Sequence, residues 1–310
     1  MKFLGECKGR VLTIGNILKD RLETKFGVVD TYGGTSYPGL AARRLGYKSR
    51  ILSRGNEELS EWIQYLNSEG VEVILQDDRT MHFVNNYRGV ERKQFLLSRT
   101  EKIKIDIDEK YDVIHIDPRF QEVSPDTAER VRDKCKILSM DAQGFVRDID
   151  PKDNSVIGRY LEDTEKKKLL PYVDFLKVSK NEMRFVVNYG EYDYKRICKR
   201  LHKMGVGVVA ITLDVEGSLI YDGQSDRFHK IPAFKTKTVD ETGAGDVYAA
   251  SFAIILSEGG DVIDAGAFAT AAASFTVGGV GTTSIANRNE VEYRANFIKK
   301  NILKNNRIKN

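Results

Sequence analysis

The sequence predicts an α/β protein whose mostly parallel sheet is covered by helices. Short apolar runs rich in β-branched residues alternate with stretches of helical spacing along the chain. The runs are apolar along most of their length, which is typical of parallel strands buried on both faces. Two segments that are more polar than the rest interrupt the alternation, and they predict a second, smaller sheet. With 41% hydrophobic and 30% charged residues in 310, the composition is that of an ordinary globular protein.

Five runs are predicted as buried strands, and four periodic stretches are predicted as helices. The strands are residues 10–15, 111–117, 136–141, 174–179 and 207–213. The helices are residues 59–70, 124–134, 192–205 and 261–275. Ser124 followed by Pro125 is expected to cap one helix. Gly70 and Gly205 are expected just past the ends of two others.

The two polar segments span residues 18–32 and 80–98, and their weak alternation predicts antiparallel strands with one solvated face. Arg88 and Gly89 form a candidate turn within the second segment. Strands inserted in this way can form a lid or an interface. Since no low-complexity linker divides the chain, we expect one domain over residues 1–310, with lid segments at about 17–33 and 79–99.

Charge, cysteine content and hydropathy argue against several classes of protein. The 49 basic and 45 acidic residues are interspersed, whereas a nucleic-acid-binding protein usually gathers its basic residues on one face. The basic tail, residues 297–310, is interpreted as the solvated end of a last helix rather than an RNA or membrane patch. Three distant cysteines and four isolated histidines argue against a disulfide framework or a zinc site. Without a signal peptide or a run of roughly 20 apolar residues, we expect a cytoplasmic protein with no membrane partner.

Residues 242–246, Thr-Gly-Ala-Gly-Asp, carry the clearest chemical signal, because an apolar helix is predicted to start near Asp246. The N-terminus of a helix attracts anions, and Gly243 and Gly245 let a ligand approach the backbone closely. The same field holds the Asp246 carboxylate ionised, so that it can accept a proton from an alcohol. Phosphoryl transfer needs both an anion site and a base. The alternative is a packing loop in which Asp246 only caps the helix.

Residues 239–252 (VDETGAGDVYAASF) resemble the C-terminal signature of the ribokinase-like (PfkB) carbohydrate kinases, D-T-x-G-A-G-D-x-F. Four further segments resemble motifs of that family in the same order: residues 14–20, 32–47, 176–183 and 211–221. The sequence contains neither a G-x-x-x-x-G-K-[ST] P-loop nor an H-E-x-x-H or G-x-S-x-G motif. The agreement of independent motifs over nearly the whole chain favours a reactive loop over a packing loop.

The resemblance implies a ribokinase-like three-layer sandwich with a small β-sheet lid. It also implies transfer of the ATP γ-phosphate, assisted by Mg²⁺, to a hydroxyl of a sugar, an inositol-like polyol or a nucleoside. The implied catalytic and metal residues are the base Asp246, the anion-hole amides of Gly243, Ala244 and Gly245, and, through water, Glu182. The implied nucleotide residues are Thr212, Gly217, Thr242, Gly278 and Asn287. The implied acceptor residues are Asp20, Gly33 and Gly34.

Three departures from the family pattern concern substrate and metal binding. Pro38 stands where an asparagine often contacts the sugar, so acceptor recognition is expected to differ from that of ribokinase. Ser179 replaces the asparagine of N-x-x-E. Asp214 stands where glycine is usual, and its carboxylate would either crowd a phosphate or point to solvent. These substitutions leave open a non-catalytic relative that binds a nucleotide or a sugar.

Further polar residues follow predicted strands, where ligands of open α/β sheets bind. Asp141, Gln143 and Arg147 resemble a D-x-Q-G-x-x-R stretch of inositol- and nucleoside-kinase-like branches, and the first two are candidate acceptor contacts. In the alternative, Asp141 caps a strand end and Arg147 pairs with a neighbouring aspartate. Asp117 and Arg119 follow another strand and are expected to line the cleft.

The lid segment carries both charged and apolar candidates. Arg88, Arg92 and Gln94 either reach an acceptor or protect an exposed sheet edge. Because lid sheets in this family often pair, a homodimer through the lid is a further expectation. The side chains suggested for that interface are Phe83, Tyr87, Phe95 and Leu97, which would equally suit a cover over the substrate.

Overall fold

The computed structural model describes residues 7–24, 27–86, 93–187 and 193–307, without the side chains of residues 24 and 303–307. The strands are β1 (Arg10–Ile14), β2 (Ile17–Thr24), β3 (Gly27–Gly34), β4 (Lys48–Gly55), β5 (Val71–Asp77), β6 (Met81–Asn86), β7 (Lys93–Ser98), β8 (Tyr111–Ile116), β9 (Cys135–Asp141), β10 (Arg147–Ile149), β11 (Val156–Gly158), β12 (Phe175–Ser179), β13 (Val208–Thr212), β14 (Ser218–Asp222) and β15 (Arg227–Ile231). The α-helices are α1 (Ser36–Arg44), α2 (Ser60–Ser68), α3 (Thr127–Val131), α4 (Asp163–Leu169), α5 (Met183–Val187), α6 (Tyr194–Lys203), α7 (Ala244–Ser257), α8 (Val262–Thr276) and α9 (Arg288–Arg307).

The central sheet has the strand order β15–β14–β13–β12–β9–β8–β1–β4–β5. Strands β13 to β5 in that order run parallel, and β14 and β15 are antiparallel at one edge. Val113, Ile114 and Ile116 of β8 are fully buried, as expected for a strand that is covered on both faces. The predicted mostly parallel sheet is therefore confirmed.

Helices cover both faces of this sheet. On one face α1, α2, α7, α8 and α9 share a core that includes Leu40, Phe252 and Phe268. On the other face α3 to α6 share a core that includes Leu201. Phe252 of α7 stacks on Phe175 of β12 with ring centroids 4.0 Å apart. The arrangement is the predicted three-layer sandwich, and within the described ranges no helix is both long and apolar enough to cross a membrane.

A second sheet, with the strand order β3–β2–β6–β7, forms the predicted lid. The pairs β2–β3 and β6–β7 are antiparallel, but β2 and β6 run parallel, so the prediction of purely antiparallel lid strands is wrong for this pair. The reason lies in the central sheet. Since β2 follows β1 and β6 follows β5, and β1 and β5 run in the same direction, both lid strands leave the sheet in parallel.

The two faces of the lid have different surroundings. On the inner face Leu18, Met81, Phe83 and Leu96 pack with Phe120, which follows β8. Phe83 pairs with Leu96 in register, so Leu97 points to the other face, and Phe83 and Leu97 are 1% and 62% exposed. The predicted common face of Phe83, Phe95 and Leu97 is therefore wrong, because alternation divides it. Tyr87 and the candidate turn at 88–89 lie outside the described residues.

The predicted helix ends are mostly confirmed. Gly70 and Gly205 follow α2 and α6 with φ of +84° and +111°, the conformation that favours glycine after a helix. Helix α3 begins later than predicted, with Asp126 at the N-cap. The carbonyl of Ser124 accepts from the amide of Thr127 in a turn that precedes the helix.

Candidate active site

Charged side chains meet at the carboxyl ends of β8, β9 and β12, next to the N-terminus of α7. Asp117 follows β8, Asp141 ends β9, Lys177 lies in β12 and Asp246 lies in the first turn of α7. All four are at most 8% exposed. Charged groups are rarely buried unless they are paired or functional. Since ligands of open α/β sheets bind at this edge, the cluster marks the candidate site.

Helix α7 begins two residues earlier than predicted, at Ala244, with Gly243 at its N-cap. Gly243 has a φ of +78°, and a Cβ on this residue would lie 2.1 Å from Cδ1 of Tyr37. Both facts require glycine. The first amides of a helix have no intrahelical acceptor, so this turn contains the kind of donors that the predicted anion hole requires. The amide of Ala244 also donates to the carbonyl of Glu241 at 3.3 Å.

Arg119 lies between two acidic side chains. Its Nη1 donates to both carboxylate oxygens of Asp246, each at 3.1 Å, and to Oε1 of Gln143 at 3.1 Å. Its Nη2 donates to Asp117. Burial alone would lower the pKa of Arg119, but the carboxylates of Asp117 and Asp246 raise it above its ordinary value, so the guanidinium stays charged. Arg119 thus joins the predicted base to the predicted acceptor residue Gln143.

Lys177 forms a second buried ion pair. Its Nζ donates to Oδ2 of Asp141 at 2.9 Å, and Oδ1 of Asp141 accepts from the amide of Gln143 at 3.0 Å. The same Nζ lies 3.0 Å from the position that a Cβ on Gly245 would take. Burial alone would lower the pKa of Lys177, but the Asp141 carboxylate raises it. A buried positive charge therefore lies against the predicted anion hole.

Asp117 is the least satisfied of the buried carboxylates. Asp117, Asp141 and Asp246 each bring one oxygen within 4.8 Å of the others. Burial raises the pKa of Asp117 well above its usual range, although Arg119 acts in the opposite direction. Oδ1 of Asp117 and Nε of Arg119 have no hydrogen-bond partner among the described residues. Unpaired buried polar atoms are uncommon in folded proteins, and these two lie beside the predicted base.

The predicted acceptor residue Asp20 lies on the inner face of the lid. Its Oδ1 accepts from Nδ2 of Asn85 at 3.0 Å, and Oδ1 of Asn85 accepts from Nε2 of Gln94 at 2.9 Å. A Cβ on Gly33 would lie 3.1 Å from Oδ2 of Asp20, so glycine leaves room beside that carboxylate. Carboxylate and amide groups thus form a chain across β2, β6 and β7.

Tyr37 connects this chain with the N-terminus of α7. Its ring lies 3.4 Å from the Cβ position of Gly33 and 2.1 Å from that of Gly243. Burial raises the pKa of Tyr37, and the charges of Asp246 and Asp20 act in the same direction. The lid residues and the predicted base therefore flank one buried side chain.

Gly34 and Pro38 have structural explanations. Gly34 has a φ of +64°, and a Cβ there would lie 2.3 Å from the carbonyl oxygen of Asn16. Pro38 is the third residue of α1, where a backbone amide has no intrahelical partner, so proline does not break the helix. It also provides no side-chain hydrogen bond to an acceptor.

The predicted metal residue Glu182 follows β12. Ser179 pairs in the register of the sheet with Thr212, a predicted nucleotide residue. The amide of Ser179 donates to Oε2 of Glu182 at 3.0 Å. Glu182 is half-buried, and its carboxylate faces the same sheet edge as Lys177, whose pKa its charge helps to raise.

The turn after β13 holds the predicted nucleotide residue Gly217. It has a φ of +93°, and a Cβ there would lie 2.0 Å from the carbonyl oxygen of Ile231, so glycine is required. Asp214 in the same turn pairs with Lys180 at 2.7 Å, and its side chain is 58% exposed. This agrees with the alternative in which Asp214 points to solvent.

Asp240 links the segment before α7 to the glycine-rich loop after α8. Its Oδ1 accepts from the amide of Thr242 at 2.9 Å, and its Oδ2 accepts from the amide of Gly281 at 3.4 Å. Gly278 lies in the same loop, and its Cβ position is 3.7 Å from Oγ1 of Thr236. The nucleotide contacts of Thr242 and Gly278 stay predictions.

Asn287 caps α9. Its Oδ1 accepts from the amide of Glu290 at 3.2 Å, and its own amide donates to Oε2 of Glu290 at 2.9 Å. A contact to a nucleotide base would therefore use its side-chain nitrogen. This contact also stays a prediction.

Sequence reasoning misses three polar residues of the site: Lys177, Asn85 and Tyr37. A lysine within an otherwise apolar strand is a signal that identifies Lys177. The position of Asn85 beside Asp20 depends on the pairing of β2 with β6, which no local pattern reveals. Arg92, a predicted acceptor contact, lies outside the described residues.

Comparisons with known proteins find similar sequences among kinases of small molecules. A model of the pfkB family of carbohydrate kinases matches residues 62–289. A nucleoside kinase of Methanothermobacter thermautotrophicus is 43% identical over 115 residues, which are 34% of this chain and 36% of that protein. An inositol 3-kinase of Arabidopsis thaliana is 30% identical over 160 residues, which are 52% of this chain and 41% of that protein. The aligned parts thus span less than half the length of these two curated relatives.

A solved structure shares the fold. It is a pyrophosphate-dependent kinase in the ribokinase family, complexed with a pyrophosphate analog and myo-inositol. The two chains are 25% identical, and they superpose with a TM-score of 0.77 over 91% of this chain and 99% of the other. The ribokinase-like architecture predicted from the sequence is therefore confirmed.

Proposed function

Because this chain belongs to the pfkB family of carbohydrate kinases, we propose that it transfers a phosphoryl group to a hydroxyl of a small polyol. One observation carries the proposal. Asp246 lies in the first turn of α7, directly after a backbone turn at Gly243 that only glycine can adopt. This arrangement puts a base beside the anion-binding end of a helix, and phosphoryl transfer needs both.

In the proposed mechanism Asp246 accepts the proton of the acceptor hydroxyl as its oxygen attacks the terminal phosphorus of the donor. The new O–P bond forms while the bond from that phosphorus to the bridging oxygen breaks. Its electron pair leaves with ADP when ATP is the donor. The amides of residues 243–245 and Nζ of Lys177 stabilise negative charge on the transferred group. Lys177 suits this role because it lies against Gly245.

Mg²⁺, when bound, neutralises charge on the donor phosphates. Glu182 fits a ligand that acts through water, because it is half-buried and, among the described residues, only its Oε2 accepts a hydrogen bond, from the amide of Ser179. Magnesium keeps several of its waters in protein sites. The fully buried carboxylates of Asp117 and Asp141 are paired with Arg119 and Lys177, so we assign the metal to Glu182 instead.

An inositol-like polyol fits the acceptor side best. Asp20, Asn85 and Gln94 offer carboxylate and amide groups, which match hydroxyls that both donate and accept. The similarity to an inositol 3-kinase and to a myo-inositol complex supports this acceptor class. The similarity to a nucleoside kinase supports a nucleoside as the alternative.

ATP is the donor that the family resemblance implies. The residues that would bind it are Thr212, Gly217, Thr242, Gly278 and Asn287. Pyrophosphate is a second candidate, because Nζ of Lys177 beside Gly245 would contact the terminal phosphate of either donor. The pyrophosphate-dependent kinase with the same fold also supports this donor.

A panel of donors and acceptors tests the proposal. Purified protein is incubated with Mg²⁺, with ATP or pyrophosphate, and with myo-inositol, cytidine or ribose, and products are identified by phosphorus NMR. We expect a phosphorylated inositol from ATP, and none from the Asp246→Asn variant. Product from cytidine alone would replace the polyol by a nucleoside. Tight calorimetric binding of a donor or acceptor without turnover on any of them would favour a non-catalytic relative.

We further propose that two copies of the chain form a homodimer through the outer face of the lid. By register Val28, Phe95 and Leu97 lie on this face, and Val28 and Leu97 are 51% and 62% exposed. Burial of these exposed apolar side chains between two copies of the chain would stabilise such a dimer. Sedimentation equilibrium should give a dimer for the wild type and a monomer for Leu97→Glu. A monomeric wild type at micromolar concentration would contradict this assembly.

A further inference from the structure

The guanidinium of Arg119 contacts the proposed base, Asp246, and restricts access to its carboxylate. One nitrogen, Nη1, is shared between the two carboxylate oxygens of Asp246 at 3.1 Å each. In this contact one lone pair on each oxygen of Asp246 is engaged, so Arg119 restricts the directions from which a hydroxyl or a water molecule can approach the carboxylate. A shared hydrogen bond is also weaker than two parallel ones, which makes this contact replaceable.

The backbone that carries Arg119 is fixed, so only its side chain is free to rearrange. The carboxylate of Glu122 accepts from the amides of Asn16, Arg119 and Phe120 at 3.0, 2.8 and 2.7 Å. The carbonyl oxygen of Arg119 accepts from Nη1 of Arg147 at 3.2 Å. Glu122 itself is 1% exposed, so these bonds are shielded from water. Movement of Arg119 is therefore a rotation of the guanidinium on a fixed segment.

A second position for the guanidinium is prepared beside the first. Nε of Arg119 and Oδ1 of Asp117 are both buried and unpaired within the described ranges, although Nη2 already donates to the other oxygen of Asp117. A guanidinium pairs best with a carboxylate through two parallel hydrogen bonds. A rotation that brings Nε opposite Oδ1 would satisfy both unpaired atoms. The same rotation moves Nη1 away from Asp246.

We propose that Arg119 switches between Asp246 and Asp117, and that this switch makes phosphoryl transfer favour the acceptor over water. Without an acceptor, Arg119 covers Asp246, and water is not activated to attack the donor. An acceptor that binds between the lid and α7 displaces Nη1, and the guanidinium then pairs side-on with Asp117. Arg119 is thus a specificity-determining residue. This inference rests on the proposed kinase function.

The test compares two rates in the full chain: release of free phosphate from the donor without acceptor, and product formation with the acceptor that the wild type phosphorylates. In Arg119→Met the base is uncovered. We expect phosphate release to rise about 10-fold or more, and the ratio of product to free phosphate to fall by a similar factor, since a charge-assisted hydrogen bond is lost. In Asp117→Asn the second partner is weakened, so phosphate release should stay low while kcat for the acceptor falls about 10-fold.

Opposite effects of the two variants separate a switch from simple damage to the site. Arg132→Met is the matched control, because Arg132 pairs with Asp174 at 2.9 Å near the amino ends of β9 and β12, at the opposite edge of the sheet. It should keep the wild-type ratio. If Arg119→Met does not fold, Arg119→Lys replaces it, because an ammonium is a point charge that lacks the planar fork of the guanidinium, and phosphate release should again rise.

Two results in an active protein would overturn this inference. Transfer and phosphate release that fall in the same proportion in both Arg119 variants would reduce Arg119 to a structural role. Unchanged ratios in folded variants of an active wild type would contradict the switch alone. A wild type that phosphorylates no acceptor would instead contradict the proposed function, and the inference with it.

Discussion

The ring of Tyr37 occupies the space that any side chain on Gly243 would need. A Cβ on Gly243 would lie 2.1 Å from Cδ1 and 2.4 Å from Cε1 of that ring. Tyr37 is 2% exposed and belongs to the core that packs on the sheet. The turn that opens α7 is therefore held against the buried core, which fixes the amides of the proposed anion hole before any ligand binds.

Gly243→Ala should impair both stability and catalysis. The φ of +78° alone costs an alanine about 1–2 kcal/mol, and the contact with Tyr37 adds about 1–3 kcal/mol of strain. Displacement of the turn should lower kcat/KM about 100-fold, as a misplacement of about 1 Å can do. Gly259→Ala is the matched control, since Gly259 has a φ of +84° with nothing within 4 Å of its Cβ position. Urea unfolding and steady-state kinetics measure both variants. If Gly243→Ala lost no more stability than Gly259→Ala and kept full activity, the proposed role of the contact between Gly243 and Tyr37 would be refuted.

Lys177→Met should destabilise the protein by about 3–5 kcal/mol, because it leaves the buried carboxylate of Asp141 without its partner. Asp141→Asn in the same chain removes that charge and should recover part of the loss. Lys177→Met should also raise the KM for the donor, because the ammonium beside Gly245 is missing. The KM should stay raised in the double variant, since this ammonium is still absent there. Lys299→Met, which breaks a half-exposed pair with Asp264, should cost less than about 1 kcal/mol. A donor KM that returns to the wild-type value in the double variant would argue against phosphate binding by Lys177.

His115 should make the protein less stable in acid. Its ring is buried, with Nδ1 3.0 Å from Oγ of Ser139, and burial lowers its pKa from 6.5 to about 4. Between pH 6.5 and 4 the unfolded chain binds a proton that the folded protein does not bind. The free energy of unfolding therefore falls as the pH falls through this window, by roughly 3 kcal/mol in total from this group.

Urea unfolding at pH 7 and pH 5 measures this effect. The difference between the two pH values should be smaller in His115→Gln than in the wild type, whereas His229→Gln should behave like the wild type. The comparison between variants removes the contribution of the other titrating groups. The same pH dependence in all three proteins would show that His115 does not contribute.

The sequence allowed the central strands to be predicted where they are apolar on both faces. Strands β1, β8, β9, β12 and β13 all lie within one or two residues of their predicted bounds. Strand β4 was not recognisable, because Lys48, Arg50 and Arg54 interrupt its apolar pattern. Arg50 is tolerated there since it pairs with Glu72 of β5 at 2.8 Å, near the edge of the sheet.

The residues of the candidate site also differ in how far the sequence could predict them. Gly243, Gly245 and Asp246 are neighbours in the chain, so their joint chemistry could be predicted. Arg119 and Asp246 are 127 positions apart, and their contact depends on the order of β8, β9 and β12 in the sheet. Sequence reasoning could place Arg119 at a strand end but could not supply its partner.

The turnover of Asp246→Asn tests the central claim most directly. The substitution keeps the shape of the side chain and removes the base. We expect kcat for the accepted polyol to fall about 100- to 10,000-fold, while the melting temperature and the calorimetric Kd for the donor stay close to those of the wild type. Asp264→Asn, on the surface of α8 and paired with Lys299, should keep full activity. Turnover of Asp246→Asn close to that of the wild type would contradict the assignment of Asp246 as the base.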